Sequence, residues 1–221
     1  MPSSNLPLNE ETLAQAVDEL CLRDHRLASV IARFGYPPLW GREPGFPTLI
    51  HMILEQQVSL ASARAAFDRL NAAVSPLTPA GFLPLDDDQL KEIGFSRQKT
   101  DYARLLSQAM IDGTFDPGTL DQMDDETARA ALIQLKGIGA WTADVYLLMA
   151  LRRPDIFPLG DRALVIAVQR LYDLPDEPSD AELLERAEKW RPHRAAAARI
   201  LWHFYLSAVR PVKPMSLKPK K

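Results

Sequence analysis

Apolar residues recur three and four positions apart along almost the whole chain. Leu13, Ala16, Val17, Leu20 and Cys21 make one stripe, and Tyr102, Leu105, Leu106, Ala109 and Met110 a second. Leu164, Val165, Val168 and Leu171 make a third, and Leu201, Phe204, Tyr205 and Ala208 a fourth. That spacing puts each set on one face of an α-helix. No segment alternates apolar and polar positions between turn residues for the length a strand pair needs. The expected fold class is all-α, with about nine or ten short helices. Start signals agree. Ser179-x-x-Glu182 and Thr119-x-x-Gln122 have the form of capping boxes, and Thr78-Pro79 sets proline at a first helical position.

Proline clusters divide these helices. Tyr36 to Pro47 holds Pro37, Pro38, Pro44 and Pro47, a loop of about a dozen residues, long enough to suggest a functional role. Ser75–Pro84 and Pro154–Pro158 are shorter breaks. Residues 211–221, with Pro211, Pro214 and Pro219 among lysines, read as a basic, disordered tail.

Composition narrows the class. The 221 residues are 47% hydrophobic and 25% charged, an ordinary globular mix that supports a sizeable core. The single cysteine, Cys21, excludes an intramolecular disulfide framework and any four-cysteine zinc or iron–sulfur site. His25, His51, His193 and His203 lack zinc-like spacing, so no catalytic metal is expected. No apolar run approaches the ~20 residues of a membrane span, and the first residues lack the pattern of a signal peptide. The expectation is a soluble protein with no membrane partner. The net charge of −3 hides an asymmetry: from Arg191 onward there are eight basic residues and no acidic one. An acidic body with a basic end can still meet a polyanion through one face; the alternative is a solvated tail.

The most informative segment is Leu135-Lys136-Gly137-Ile138-Gly139-Ala140-Trp141-Thr142-Ala143. A helical stripe (Ala128, Ala131, Leu132) precedes it and another (Val145, Leu148, Met149) follows. Two glycines two apart permit a tight turn with Ile138 pointing back toward the core. The second helix then starts with outward-facing amides, which suit a phosphate oxygen through hydrogen bonding and the helix dipole. A hairpin that only packs is the alternative, since glycine is a common helix stop.

The run L-K-G-I-G-A-W-T-A-D closely resembles the helix–hairpin–helix motif of the HhH-GPD superfamily of DNA glycosylases. Within it, the chain resembles the alkylbase branch, of 3-methyladenine DNA glycosylase II type. Other segments match that branch in order. Phe46-Pro47-Thr48-Leu49-Ile50 leads to Ile53-Leu54-Glu55-Gln56-Gln57-Val58-Ser59, like the branch's "QQ-V-S" helix, and Gly94-Phe95-Ser96-Arg97-Gln98-Lys99 is similar to its "G-L-S-x-x-K" loop. Pro154-Asp155-Ile156-Phe157-Pro158 then runs to Gly160-Asp161, followed by Trp190-Arg191-Pro192-His193-Arg194 and Trp202. The likeness spans residues ~12–205.

By local sequence, Asp161 is a helix N-cap. The resemblance makes it the catalytic carboxylate, and the two roles are compatible. Breaking an N-glycosidic bond builds oxocarbenium character at C1′, which a nearby carboxylate stabilises. Asp155 and Asp144 rank below it, as a loop residue and a structural polar group. Gly160 and Arg162 depart from the branch's pattern on either side; Arg162 is expected to contact phosphate or to pair with Asp161. Superfamily members with lyase activity carry a lysine, able to form a Schiff base, at the second helix-start position after the hairpin. Here that residue is Trp141, so water is the expected nucleophile and an intact abasic site the expected product.

The resemblance further implies that Gln57 fills the gap left by an extruded base, with an ordinary polar helix residue as the alternative. It places Trp141 and Trp202 as pocket aromatics; plain core packing is the commoner fate of a tryptophan. Trp40 and Tyr36 are further pocket candidates, and Val145 replaces a pocket tyrosine of some relatives. Gly137, Gly139, Lys136, Ser96, Arg97 and Lys99 are expected to contact DNA phosphates without reading sequence. The hairpin carbonyls are expected to hold a structural monovalent cation.

The resulting expectation is one HhH-GPD domain over residues 1–210. Its lobes would be ~46–153, including the hairpin at 135–143, and ~1–45 plus ~154–210, with the lesion and Asp161 in the cleft between. It would act as a monomer on double-stranded DNA containing alkylated bases, in the cytoplasm at a bacterial nucleoid, or in a nucleus if the source is eukaryotic. Between 3-methyladenine, 7-methylguanine, ethenoadenine and hypoxanthine the sequence makes no choice. A non-catalytic module that binds DNA lesions is the rival reading.

Overall fold

A computed structural model describes residues 6–210 and contains no strand among them. The chain forms two compact units, Gly41–Arg152 and the pair of flanking segments Met1–Trp40 and Arg153–Lys221. The tail at 211–221 lies outside the described residues.

The central unit contains α3 (Phe46–Glu55), α4 (Leu60–Ala73), α5 (Pro79–Phe82), α6 (Asp87–Ile93), α7 (Arg97–Ile111), α8 (Asp125–Ile133) and α9 (Ala140–Met149). Its centre is α3 and α9. Seven positions of α3 are buried, and α9 is buried without interruption from Thr142 to Leu148. A helix apolar on every side has to be surrounded by others. Phe46, Phe82 and Phe95 pack edge-on and tilted beneath α3, and Tyr146 of α9 accepts the Gly45 N–H at 2.9 Å, fixing the approach to α3. Burial pushes the Tyr146 hydroxyl up to about 12, so it stays protonated.

The flanking unit contains α1 (Glu10–Arg23), α2 (His25–Phe34), α10 (Arg162–Leu171), α11 (Asp180–Glu188) and α12 (Arg194–Phe204). Its core helix is α12, whose Ala195–Ala198 run is fully buried. Small side chains there let α1, α2 and α10 pack directly against it. Asp24, the cap of α2, ties this unit together: it also accepts from the Tyr172 hydroxyl and from Trp190 Nε1 at 3.2 Å.

Most helix starts carry the side-chain cap that their sequence signals. Asn9–Thr12, Asp86–Gln89 and Ser179–Glu182 form reciprocal capping boxes, and Thr78 caps α5 ahead of Pro79. Thr119-x-x-Gln122 is not a capping box. Asp116 caps a 3-10 turn over Pro117–Gln122, because the Asp-Pro-Gly run starts the turn before Thr119 is reached. The described residues hold twelve α-helices rather than nine or ten, since the proline-bounded α5 and α6 are helices of their own.

Two stripes also shift. On α7 the buried face is Thr100, Ala103, Leu106 and Ser107, leaving Leu105 49% exposed. Ser107 tolerates burial because its hydroxyl donates to the Ala103 carbonyl at 2.7 Å. The fourth stripe does not continue as α-helix: α12 ends at Phe204, a wider π-type turn covers Tyr205–Val209, and Ala208 is exposed. Among the described residues no helix is long and apolar enough to cross a membrane.

Candidate active site

Asp161 follows the Pro154–Pro158 break and is the N-cap of α10. Its Oδ1 accepts the backbone N–H of Ala163 at 2.9 Å and of Leu164 at 3.0 Å. The indole N–H of Trp202 donates to the same oxygen at 3.2 Å. The carboxylate is 9% exposed and Trp202 8%. Two sequence candidates 41 residues apart are therefore in direct contact. Gly160, immediately before, has φ +80, a left-handed conformation that favours glycine, and a Cβ there would meet nothing.

The other charged candidates hold partners of their own. Arg162 does not pair with Asp161: its guanidinium makes a two-nitrogen ion pair with Glu177. That hydrogen-bonded contact raises the arginine's pKa and lowers the glutamate's. Position 162 heads α10, where a cation meets the positive end of the helix dipole, and Glu177 offsets that cost. Asp155 holds Arg194 at 2.9 Å and Arg191 at 2.6 Å. Asp144, buried on α9, holds Arg129 at 2.6 Å.

Trp40 and Tyr36 lie in the loop after α2. Trp40 has a left-handed backbone (φ +46) and its ring lies 6.4 Å from His203, one residue after Trp202. Tyr36 is 50% exposed, and its hydroxyl donates to Asp18. This loop is anchored by a residue that the sequence reading missed. Arg199 is fully buried on α12 and donates to the Leu39 carbonyl at 2.8 Å and to the Ala195 carbonyl at 3.1 Å. Burial pushes its guanidinium down to about 10, still charged at neutral pH. Only its place three residues before Trp202 marked it.

In the central unit, the hairpin between α8 and α9 borders a hollow of about 610 Å³. Its walls include Gln56, Gln57, Ser96, Lys99, Tyr102 and the hairpin residues Lys136 to Gly139. Gly137 has φ +91, and a Cβ there would lie 2.2 Å from the Tyr102 ring. Backbone conformation and packing both require glycine. Gly139 is different: its φ is −87 and a Cβ would meet nothing within 4 Å. It caps α9 without any side chain and is exposed. Ile138 between them is 4% exposed, turned into the core as its position suggests.

The other candidates of this unit divide. Lys136, Ser96 and Arg97 are exposed, and Arg97 is outside the hollow's lining. Ser96 caps α7 through the Lys99 N–H at 3.3 Å. Lys99 is half-buried and gives one of its donors to the Leu54 carbonyl at 2.7 Å; burial lowers its pKa. Gln57 is not on a helix. α3 stops at Glu55, and Gln57 is exposed in a left-handed turn with φ +57. On α9, Trp141 is 37% exposed in the first turn, while Val145, one turn on, is buried.

The model of HhH-GPD superfamily base excision DNA repair proteins matches residues 50–193. The chain belongs to the HhH-GPD superfamily. Among relatives in this superfamily is DNA-3-methyladenine glycosylase 1 of Schizosaccharomyces pombe, 31% identical over 78% of this chain and 79% of that protein. DNA-3-methyladenine glycosylase 2 of Escherichia coli is 29% identical over 70% of this chain. The chain spans 55% of that enzyme's length and 56% of a Bacillus subtilis relative that is 30% identical to it. The structure of the S. pombe 3-methyladenine DNA glycosylase bound to abasic DNA superposes with a TM-score of 0.79 at 26% identity, covering 90% of this chain and all of that one. The Bacillus halodurans DNA-3-methyladenine glycosidase gives 0.74 at 27% identity, covering 86% and 88%. The all-α HhH-GPD fold is thus the fold of this chain.

Proposed function

We propose that this HhH-GPD protein is a monofunctional DNA glycosylase that removes alkylated purines from duplex DNA as a monomer. The observation that carries this is the buried Asp161 carboxylate, one oxygen of which is fixed by two backbone amides and the Trp202 indole. Asp24 is held in the same manner for stability; what favours catalysis at Asp161 is that the resemblance makes it the catalytic carboxylate, which a lesion-binding module does not need.

The chemistry follows from the leaving group. In 3-methyladenine or 7-methylguanine nucleotides the base carries a positive charge. When the C1′–N bond breaks, the electron pair goes to the base nitrogen and the base departs neutral. Positive charge passes to the sugar, where the Asp161 carboxylate stabilises it; the burial of that group strengthens the attraction. Water then adds its oxygen to C1′ and gives up a proton, directly to solvent or through Asp161 as base. The products are free base and an abasic site. Trp141 occupies the position where a lysine would permit lyase chemistry, so the strand stays intact.

A damaged base has to leave the stack before this happens. The resemblance makes Trp141 and Trp202 pocket aromatics, and an indole face attracts a cationic base by about 0.5–2 kcal/mol. The backbone at Gly139 and the side chains of Lys136, Arg97 and Lys99 serve the phosphates. Carbonyl oxygens of the hairpin fit a monovalent cation by donor chemistry, although that of Gly137 already accepts from Gln56 at 2.7 Å and that of Leu135 from Ile138 at 3.0 Å. A cation held there would add positive charge beside the phosphate.

The test is base release from methylated duplex DNA, with strand cleavage scored before and after alkali. Free methylpurine with strands that break only after alkali is expected. Strand breaks before alkali would overturn the monofunctional reading, and tight binding without release would favour the lesion-binding module.

A further inference from the structure

The turn after α3 is held by two side chains from distant parts of the chain. Gln56 Nε2 donates to the carbonyl of hairpin Gly137 at 2.7 Å, and Lys99 Nζ donates to the Leu54 carbonyl at 2.7 Å. Between and beyond these contacts the backbone turns left-handed at Gln57, an exposed non-glycine residue with φ +57. Such a conformation is strained for a residue with a Cβ and persists only where surrounding contacts impose it. Gly137 is itself pinned, since the Tyr102 ring packs against its Cα and Gln98 holds the Tyr102 hydroxyl at 2.6 Å. Gln56, Gln57, Lys99, Tyr102 and Gly137 all line the one hollow.

We infer that Gln56 is a positioning residue for base extrusion. By bonding to the hairpin it couples the seat of the phosphate to the tip of the 56–59 turn. Docking of the hairpin then delivers Gln57 into the base stack at a fixed depth. Gln56 touches neither the base nor the sugar in this scheme; it acts through the Gly137 carbonyl and the left-handed backbone at Gln57. The inference rests on the glycosylase reading for its reaction but on the turn's geometry for its assignment. Lys99 contributes from the other side, and its donor to Leu54 makes it a buttress of the turn as well as a charge near phosphate.

The experiment compares wild type, Gln56→Ala and the near-isosteric Gln56→Glu on two substrates: a methylated purine paired in a duplex, and the same lesion unpaired in a single-nucleotide bulge. Glutamate keeps the volume but turns the donor into an acceptor facing a carbonyl, so it controls for misfolding. Both variants should release base about tenfold or more slowly from the paired substrate, a barrier increase of ~1.4 kcal/mol, and within about threefold of wild type from the bulge. Equal loss on both substrates would mean a general structural defect and would overturn the inference, as would no loss on the paired one. If wild type releases base from neither, the glycosylase reading fails by itself. Extrusion is then read from the fluorescence rise of 2-aminopurine beside the lesion on binding. A smaller rise with both variants than with wild type upholds the assignment; equal rises, or none with wild type, overturn it.

Discussion

Three donors converge on one oxygen of Asp161, and one of them is a side chain. The two amides come with the helix start; the Trp202 indole is what α12 adds. Trp202→Phe keeps an aromatic face and deletes the donor. Single-turnover release should fall about tenfold in the variant with KM nearly unchanged, whereas Trp202→Ala should also raise KM. Equal kinetics for wild type and Trp202→Phe would mean the indole contact is packing only. Asp24 shows the same economy of donors used for stability. Burial works to raise its pKa, but the hydrogen bonds from Tyr172, Trp190, Leu27 and Arg26 outweigh it and the net shift is downward. A depressed carboxylate contributes stability above its unfolded value and loses it as pH falls through the folded one. Asp24→Ala should cost about 2 kcal/mol of unfolding free energy in denaturant titration at neutral pH, and less as pH falls through the lowered folded-state pKa, where wild type loses the contribution too.

Among the elements, the hairpin makes the sharpest distinction between shape and contact. Gly137 is required by the fold, because a Cβ would strike Tyr102 and its φ is positive. Gly139 satisfies neither condition. Gly137→Ala should therefore lower the melting temperature by several degrees, while Gly139→Ala should melt like wild type and bind abasic DNA about tenfold more weakly. Unchanged DNA affinity in Gly139→Ala would move the phosphate seat away from this helix start. The Ser179 and Thr78 caps and the hairpin glycines were legible in the sequence because they are local, a capping pair lying three positions apart. Thr119–Gln122 failed because an earlier Asp-Pro-Gly run starts the turn first. The stripe on α7 was read off by one position because serine and threonine count as polar, yet Ser107 and Thr100 lie on the buried face. Gln56 and Arg199 were not legible. Their partners are backbone carbonyls 81 and 160 residues away, and a carbonyl leaves no trace in residue identity.

Over the whole molecule, the family was easier to read than the architecture. The glycine hairpin and the segments on either side of it lie within the span that the superfamily model matches, whereas the boundaries of twelve short helices depend on packing that no window of sequence contains. Charge is the molecule-wide constraint. On the proposed function, a net −3 protein meets DNA through few, well-placed basic groups, so log K should fall with log salt by only about one per phosphate contacted. Lys136→Ala should weaken binding of undamaged and abasic duplex alike and reduce the slope of log K against log salt by about one. An unchanged slope would remove Lys136 from the contact surface. The central claim, that one buried carboxylate drives hydrolysis, is tested most directly by single-turnover release of methylated purine by wild type and Asp161→Asn. Asparagine keeps an acceptor for the helix cap but loses the negative charge. The account predicts release at least about a hundredfold slower in the variant, with abasic-DNA affinity and melting temperature close to wild type. Equal rates would contradict it.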